Sequence, residues 1–231
     1  MSEERVLAII PARGGSKRFP RKNLALLAGK PLLAHAIQAA KDSGVFSTVL
    51  VSSEDDEILE AARRWGPDQA RRRPESLATD TASVKEVCLH TLKELEAEGD
   101  FYPVFGILLT TNPLRSGEDV RRAYETFLAS GKDALMSLVP YAHPPQRAVH
   151  LDDEGRVRPY WGHQYMTQTQ RLEPLYRHDG SIFLARTRAF YRQPELYTDE
   201  VAAFFQPVER SVDIDSPLDL QWAQFLLDQK S

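Results

Sequence analysis

The chain has 231 residues, the upper end of what one α/β domain holds, and its 42% apolar content supplies a core and argues against disorder. A net charge of −4 excludes a general field for nucleic acid or an anionic membrane surface. One cysteine excludes an internal disulfide and fits a reducing cytoplasm. No apolar run approaches the roughly 20 residues that span a bilayer, and the acidic start Met1-Ser2-Glu3-Glu4 is unlike a signal peptide. The expectation is one soluble, cytoplasmic domain over residues 1–231.

In chain order, Val6 to Pro11 is a continuous apolar run, the pattern of a buried parallel strand. It gives way to a loop with two glycines, a serine and five basic residues, Arg13-Gly14-Gly15-Ser16-Lys17-Arg18-Phe19-Pro20-Arg21-Lys22-Asn23. Open α/β sheets bind ligands at such strand ends. Gly14 and Gly15 let backbone N–H groups approach an anion. Arg13, Lys17 and Lys22 supply charge for a polyphosphate. The order is neither that of a P-loop nor G-x-G-x-x-G, so a solvated basic turn stays open as the plainer reading.

Pro31 then starts a helix with Leu33, Ala36, Ile37 and Ala40 on its apolar face, closed by Gly44. Thr48 to Ser52 is a strand. Glu54, Asp55 and Asp56 load the start of the next helix, whose core face is Ile58, Leu59, Ala62 and Trp65. Residues 67–82 read as an irregular polar loop. Val84, Val87, Cys88, Thr91, Leu92 and Leu95 mark a third helix, which makes Cys88 a core thiol. Val104 to Leu109 is a central strand running into Thr110-Thr111-Asn112-Pro113-Leu114-Arg115. A helix with Val120, Ala123, Tyr124, Phe127 and Leu128 inward ends at Gly131, and Ala134 to Val139 is the next strand. This β-α-β order predicts a mostly parallel, Rossmann-like α/β sheet with helices on both faces.

From 140 to 174 the periodicity stops. A stretch this long in a compact domain is a lid, an arm or an interface, with a hairpin expected at Asp152-Asp153-Glu154-Gly155. Ser181 to Ala185 is a strand, and residues 186–210 hold a short helix and a loop. Asp213-Ile214-Asp215 reads as a short strand with both carboxylates on one face. Two hard oxygen ligands at that spacing suit Mg²⁺ shared with a nucleotide phosphate. Capping of the next helix is the alternative role for Asp215. In that last helix Leu218, Trp222, Phe225 and Leu226 are expected to face inward. No H-E-x-x-H occurs, so zinc chemistry has no support.

Pro11-Ala12-Arg13-Gly14-Gly15-Ser16-Lys17-Arg18-Phe19-Pro20-Arg21-Lys22-Asn23 resembles the opening signature of the acylneuraminate cytidylyltransferases, the CMP-sialic acid synthetases. Ser211-Val212-Asp213-Ile214-Asp215 and Asp219 resemble that family's closing S-[IV]-D-I-D-x-x-x-D. The resemblance implies transfer of CMP from CTP to a nonulosonic acid, a nine-carbon 2-keto sugar acid, with release of pyrophosphate. It implies CTP contacts at Ala12, Arg13, Gly14, Ser16, Lys17, Lys22 and Asn23. The string Arg73-Pro74 to Ser83 resembles the family's R-P-x-x-L-[AS]-x-D-x-[AS]-[ST] and adds Arg73 and Ser83. Asp213 and Asp215 match the metal aspartates, so Arg13, Lys17, Asp213 and Asp215 are the expected catalytic set with Mg²⁺. The 140–174 segment matches a homodimerisation arm.

On the sugar side the sequence departs from the family. Leu109, Thr110 and Asn112 stand where glutamine, proline and serine are usual, and His178-Asp179 replaces proline-asparagine. Gln168 and Thr169 replace two arginines, leaving Arg171 and Arg147 as candidates for the sugar carboxylate. The expected sugar-binding set is Thr111, Asn112, Arg147, Gln170, Arg171, Asp179 and Phe183. These departures predict an acceptor other than ordinary sialic acid, such as legionaminic acid. The alternatives are a Kdo-type enzyme, a sugar-1-phosphate nucleotidyltransferase, or a nucleotide-binding relative that no longer catalyses.

Overall fold

The computed structural model describes residues 5–229. The acidic start Met1–Glu4 lies outside the described residues. In chain order the strands are β1 (Val6–Pro11), β2 (Leu26–Leu27), β3 (Lys30–Pro31), β4 (Thr48–Ser53), β5 (Gln69–Arg72), β6 (Val104–Ile107), β7 (Ala134–Pro140), β8 (Val149–Leu151), β9 (Val157–Pro159), β10 (Tyr176–Arg186) and β11 (Val201–Phe205). The α-helices are α1 (Leu32–Ser43), α2 (Asp56–Arg64), α3 (Val84–Ala97), α4 (Gly117–Ser130), α5 (Thr187–Arg192) and α6 (Pro217–Asp228).

Seven strands form one sheet in the order β11-β7-β10-β6-β1-β4-β5. β10 runs antiparallel to β6 and β7, and the other pairings are parallel. The central strand β1 is apolar on both faces because both are covered. Val6, Ala8 and Ile10 join the core under α1 and α4, whereas Leu7 and Ile9 join the core under α3 and α5. Chain order places β4 on one side of β1 and β6 on the other. The crevice beyond the ends of β1 and β6 is therefore the switch point where such sheets bind ligands.

Several expectations are corrected. Residues 67–82 are not wholly irregular, since Gln69–Arg72 adds β5 to the sheet edge by parallel pairing with β4. β11 completes the other edge. Asp213-Ile214-Asp215 is not a strand: Ile214 makes a single backbone bond, N–H to Thr111 O at 2.8 Å, and its side chain is fully buried. Trp65 and Leu128 are exposed. Of the four α6 residues expected to face inward, Leu226 does so and the other three do not. Leu218, Trp222 and Phe225 are 71%, 51% and 50% exposed, and Ala223 with Leu220, Leu226 and Leu227 packs on Leu27, Leu32 and Leu114.

Candidate active site

The loop after β1 is held by its neighbours rather than free. Asn23 is buried, donates from Nδ2 to Arg13 O at 2.7 Å, and accepts from the Thr110 hydroxyl of the loop after β6. One amide thereby ties the two loops flanking the switch point. Gly14 has no room for a side chain, because a Cβ there would lie 2.4 Å from Asp55 Oδ2 and 3.0 Å from its Cβ. The Gly14 N–H donates to Glu54 Oε1 at 2.6 Å. The other Glu54 oxygen accepts from Arg73 Nε at 3.1 Å and Nη2 at 2.8 Å, and these side chains are only 11% and 4% exposed. Asp55 caps α2 through Ile58 N–H and accepts Arg21 Nη1 at 2.6 Å. The sequence presented Glu54 and Asp55 only as helix-start charge. Their position at the end of a strand beside a basic loop is the signal that would have found them.

A cavity of about 520 Å³ opens on this loop, walled by Arg13, Ser16, Lys17, Lys22, Asn23 and Arg73, with Thr110, Thr111 and Asp215 opposite. Its cations already face carboxylates. Arg13 and Lys17 meet Asp80 at 3.3 and 2.5 Å, and Arg18 and Lys22 meet Asp215 at 2.8 and 2.9 Å. Hydrogen bonding from Lys17, followed by the charge of Lys17 and Arg13, holds the Asp80 carboxyl below its usual range. The pairs of Arg13, Lys17 and Arg18 are largely solvated and so are weak enough to exchange for a stronger anion, whereas Lys22 is more enclosed.

A second cavity of about 270 Å³ shares Val84 and Leu109 with the first. Its walls are mainly Val84, Ile107, Leu109, Phe183 and Leu196, with Arg177, His178, Asp179 and Asp213 as the polar side chains. Asp215 faces the first cavity and Asp213 the second. Desolvation raises the Asp213 carboxyl, the Thr111 hydrogen bond opposes that, and the charge of Asp215 adds to the rise. No cluster of three or more His, Cys, Asp or Glu suited to a metal occurs among the described residues. Mg²⁺ nevertheless takes one or two carboxylates plus substrate phosphates. The repelling pair Asp213 and Asp215 fits that requirement.

Other expected site residues divide sharply. Ser83 does not line either cavity; its hydroxyl caps α3 in a reciprocal box with Glu86. Asn112 is buried and donates to Asp179 O at 2.8 Å, which fixes the backbone turn at Gly180. That turn needs a glycine, with φ of 78° and Asn112 Oδ1 3.2 Å from a built Cβ. Asp179 accepts from Ser137 and from Ser181 N–H, and makes no hydrogen bond with His178 among the described residues. Arg147 borders a separate cavity in the arm with His143 and Thr169, while Gln170 and Arg171 lie exposed on a 3₁₀ turn. A single chain thus brings Thr111, Asp179 and Phe183 to the cleft but not Arg147, Gln170 or Arg171. Arg177, which the sequence reading did not place in the site, is the one Lys or Arg on the second cavity among the described residues. Cys88 is buried in the core, and burial pushes its thiol up, away from nucleophilic use.

A mostly parallel sheet with a cationic cleft at its switch point defines a nucleotide-handling α/β protein. Residues 7–226 match the cytidylyltransferase family model, and the chain belongs to that family. It is 32% identical over 220 residues to the pseudaminic acid cytidylyltransferase of Campylobacter jejuni, covering 95% of each chain. It is 33% identical to the CMP-N,N'-diacetyllegionaminic acid synthase of Legionella pneumophila, covering 95% of this chain and 94% of that one. The N-acylneuraminate cytidylyltransferase of Streptococcus agalactiae is 31% identical over 212 residues, 91% of this chain and 50% of the relative. The fold is similar to that of a CMP:2-keto-3-deoxy-manno-octonic acid synthetase complexed with CTP, with a TM-score of 0.71, 17% identity and 99% and 100% coverage.

Proposed function

We propose that this cytidylyltransferase joins CMP from CTP to the anomeric hydroxyl of a nonulosonic acid, in the cytoplasm, with Mg²⁺ held by Asp213 and Asp215. The observation that carries the reading is the pair of adjacent cavities, cationic on one side and mainly apolar with a single arginine on the other, with one aspartate facing each. The acceptor hydroxyl oxygen forms the new bond to the α-phosphorus as the α–β phosphoanhydride bond breaks and pyrophosphate leaves. The hydroxyl proton passes to solvent. Arg13, Lys17 and Lys22 exchange their carboxylate partners for phosphate oxygens and stabilise the charge that grows on the leaving group. Mg²⁺, when bound, supplies neutralisation of the α-phosphate and acidifies the attacking hydroxyl. Arg177 is the candidate partner for the acid's carboxylate, with Asp179 and Phe183 on the same wall and Thr111 on the adjoining first cavity.

The acceptor cavity is lined mostly by apolar groups, which suits an acid poorer in hydroxyls and richer in acyl groups than sialic acid. The names of the Campylobacter and Legionella relatives support that choice. A homodimer built on the 140–174 arm is the remaining route by which Arg147, Gln170 and Arg171 could serve a cleft, since none of them reaches that of its own chain. The test is turnover with CTP and sialic, legionaminic and pseudaminic acids in turn, with mass detection of the CMP-sugar, with and without EDTA. Product with legionaminic or pseudaminic acid, lost on chelation and restored by Mg²⁺, is expected. Preference for sialic acid would refute the acceptor choice, and EDTA-resistant turnover would refute the metal.

A further inference from the structure

We propose that Glu54 is a positioning residue for the nucleotide, acting through both the Gly14 amide and the Arg73 guanidinium; this rests on the CTP site proposed above. β1, β4 and β5 are neighbours in the sheet and run parallel, so their carboxyl ends emerge side by side. Glu54 directly follows β4, between the two others. Its Oε1 accepts the Gly14 N–H at 2.6 Å, and its Oε2 accepts Arg73 Nε and Nη2 at 3.1 and 2.8 Å. One carboxylate therefore spans three strand ends.

The geometry is directional. Binding through Nε and Nη2 takes one edge of the guanidinium and fixes the orientation of a side chain that lines the cavity, leaving Nη1 outside the pair. Arg73 is itself pinned in register, its N–H donating to Ser53 O at 3.0 Å. At Gly14 the same carboxylate holds down one end of the loop carrying Ser16 and Lys17, and the contact with Asp55 closes the space beneath it. Both attachments are part-buried and made to a carboxylate, where a hydrogen bond is strengthened by charge and a missing partner is costly. A carboxylate suits this place because it only accepts, and all three partners only donate. An amide has one accepting oxygen, so glutamine leaves either Gly14 or Arg73 facing an N–H.

The test is a cycle of Glu54→Gln, Arg73→Gln and the double variant, with KM measured for CTP and for the sugar acid separately. The double variant leaves no lone buried charge and guards against simple unfolding. Glu54→Gln is expected to raise KM for CTP about tenfold or more, as loss of a charge-assisted hydrogen bond does, while KM for the acid stays within about twofold. In the Arg73→Gln background the same change is expected to add much less. Should Glu54→Gln lack a cooperative melt, Glu54→Asp carries the test, because it keeps the charge but is too short to reach both partners. An unchanged KM for CTP, equal rises for both substrates, or fully multiplicative effects would overturn the positioning role. Failure of the wild-type chain to bind CTP would instead overturn the nucleotide assignment, and this inference with it.

Discussion

At the scale of single residues, the cleft sets carboxylates against cations, and the two aspartates of the last loop are not equivalent. Asp215 has Lys22 and Arg18 as partners, whereas Asp213 has a hydroxyl and a neighbouring carboxylate. Removing either charge takes away a proposed metal ligand and leaves the fold's core untouched. Asp213→Asn and Asp215→Asn are expected to lower turnover by several kcal/mol of transition-state stabilisation, with an unchanged melting temperature. Wild-type turnover in both variants at saturating Mg²⁺ would remove the metal assignment. Gly14→Ala is a sharper probe of the loop, since the added Cβ meets Asp55, which is already committed to Arg21 and the start of α2. KM for CTP is expected to rise about tenfold or more while the acceptor's KM holds; a neutral effect on the kinetics would show that the loop has slack. The basic loop and the D-I-D ending were legible in the sequence because their charge has no use in a core. Glu54 was not, because an acidic residue ahead of a helix already has an ordinary explanation in the helix dipole.

At the scale of elements, legibility followed hydrophobic pattern. β1 and β4 and helices α1 to α4 stand where apolar runs and spacing put them, with Gly44 and Gly131 both in the left-handed region at the ends of α1 and α4. β5 failed to show because Gln-Ala-Arg-Arg at a sheet edge needs no apolar alternation; its arginines pair with Glu98 and Asp56 at the surface. In α6 the two aromatic rings, Trp222 and Phe225, lie with Leu218 on the exposed side and stack at 5.3 Å, while Leu220, Leu226 and Leu227 pack inward. α4 offers a clean test that local signals act locally. Ser116 and Asp119 form a reciprocal capping box, and Asp119 also accepts Arg210. Ser116→Ala is expected to cost about 1 kcal/mol of stability, read as a lower urea midpoint, while KM for CTP does not change. A kinetic effect without a stability effect would tie α4 to the cleft instead.

At the scale of the molecule, the arm is the part that one chain does not explain. β8 and β9 pair only with each other in a two-stranded sheet, and their turn is stapled by Asp152 accepting Arg156 and Arg158. An isolated hairpin is marginal in water. This one exposes Val149, Leu151 and Val157, with Tyr160 and Trp161 packed edge to face beside it. Exposed aliphatic and aromatic side chains together in one segment are what an interface core requires. The same arm carries Arg147 and Arg171, neither of which reaches the cleft of its own chain. The expected outcome is a homodimer by light scattering at micromolar concentration. Leu151→Asp with Val157→Asp, which places charges in that face, is expected to give a folded monomer with weakened use of the sugar acid and nearly unchanged CTP binding. Trp222→Ala on the exposed face of α6 serves as the control and is expected to leave the dimer intact. If Trp222→Ala dissociates the dimer while the arm variant does not, α6 is the contact surface and Arg147 and Arg171 have no role in the acceptor site.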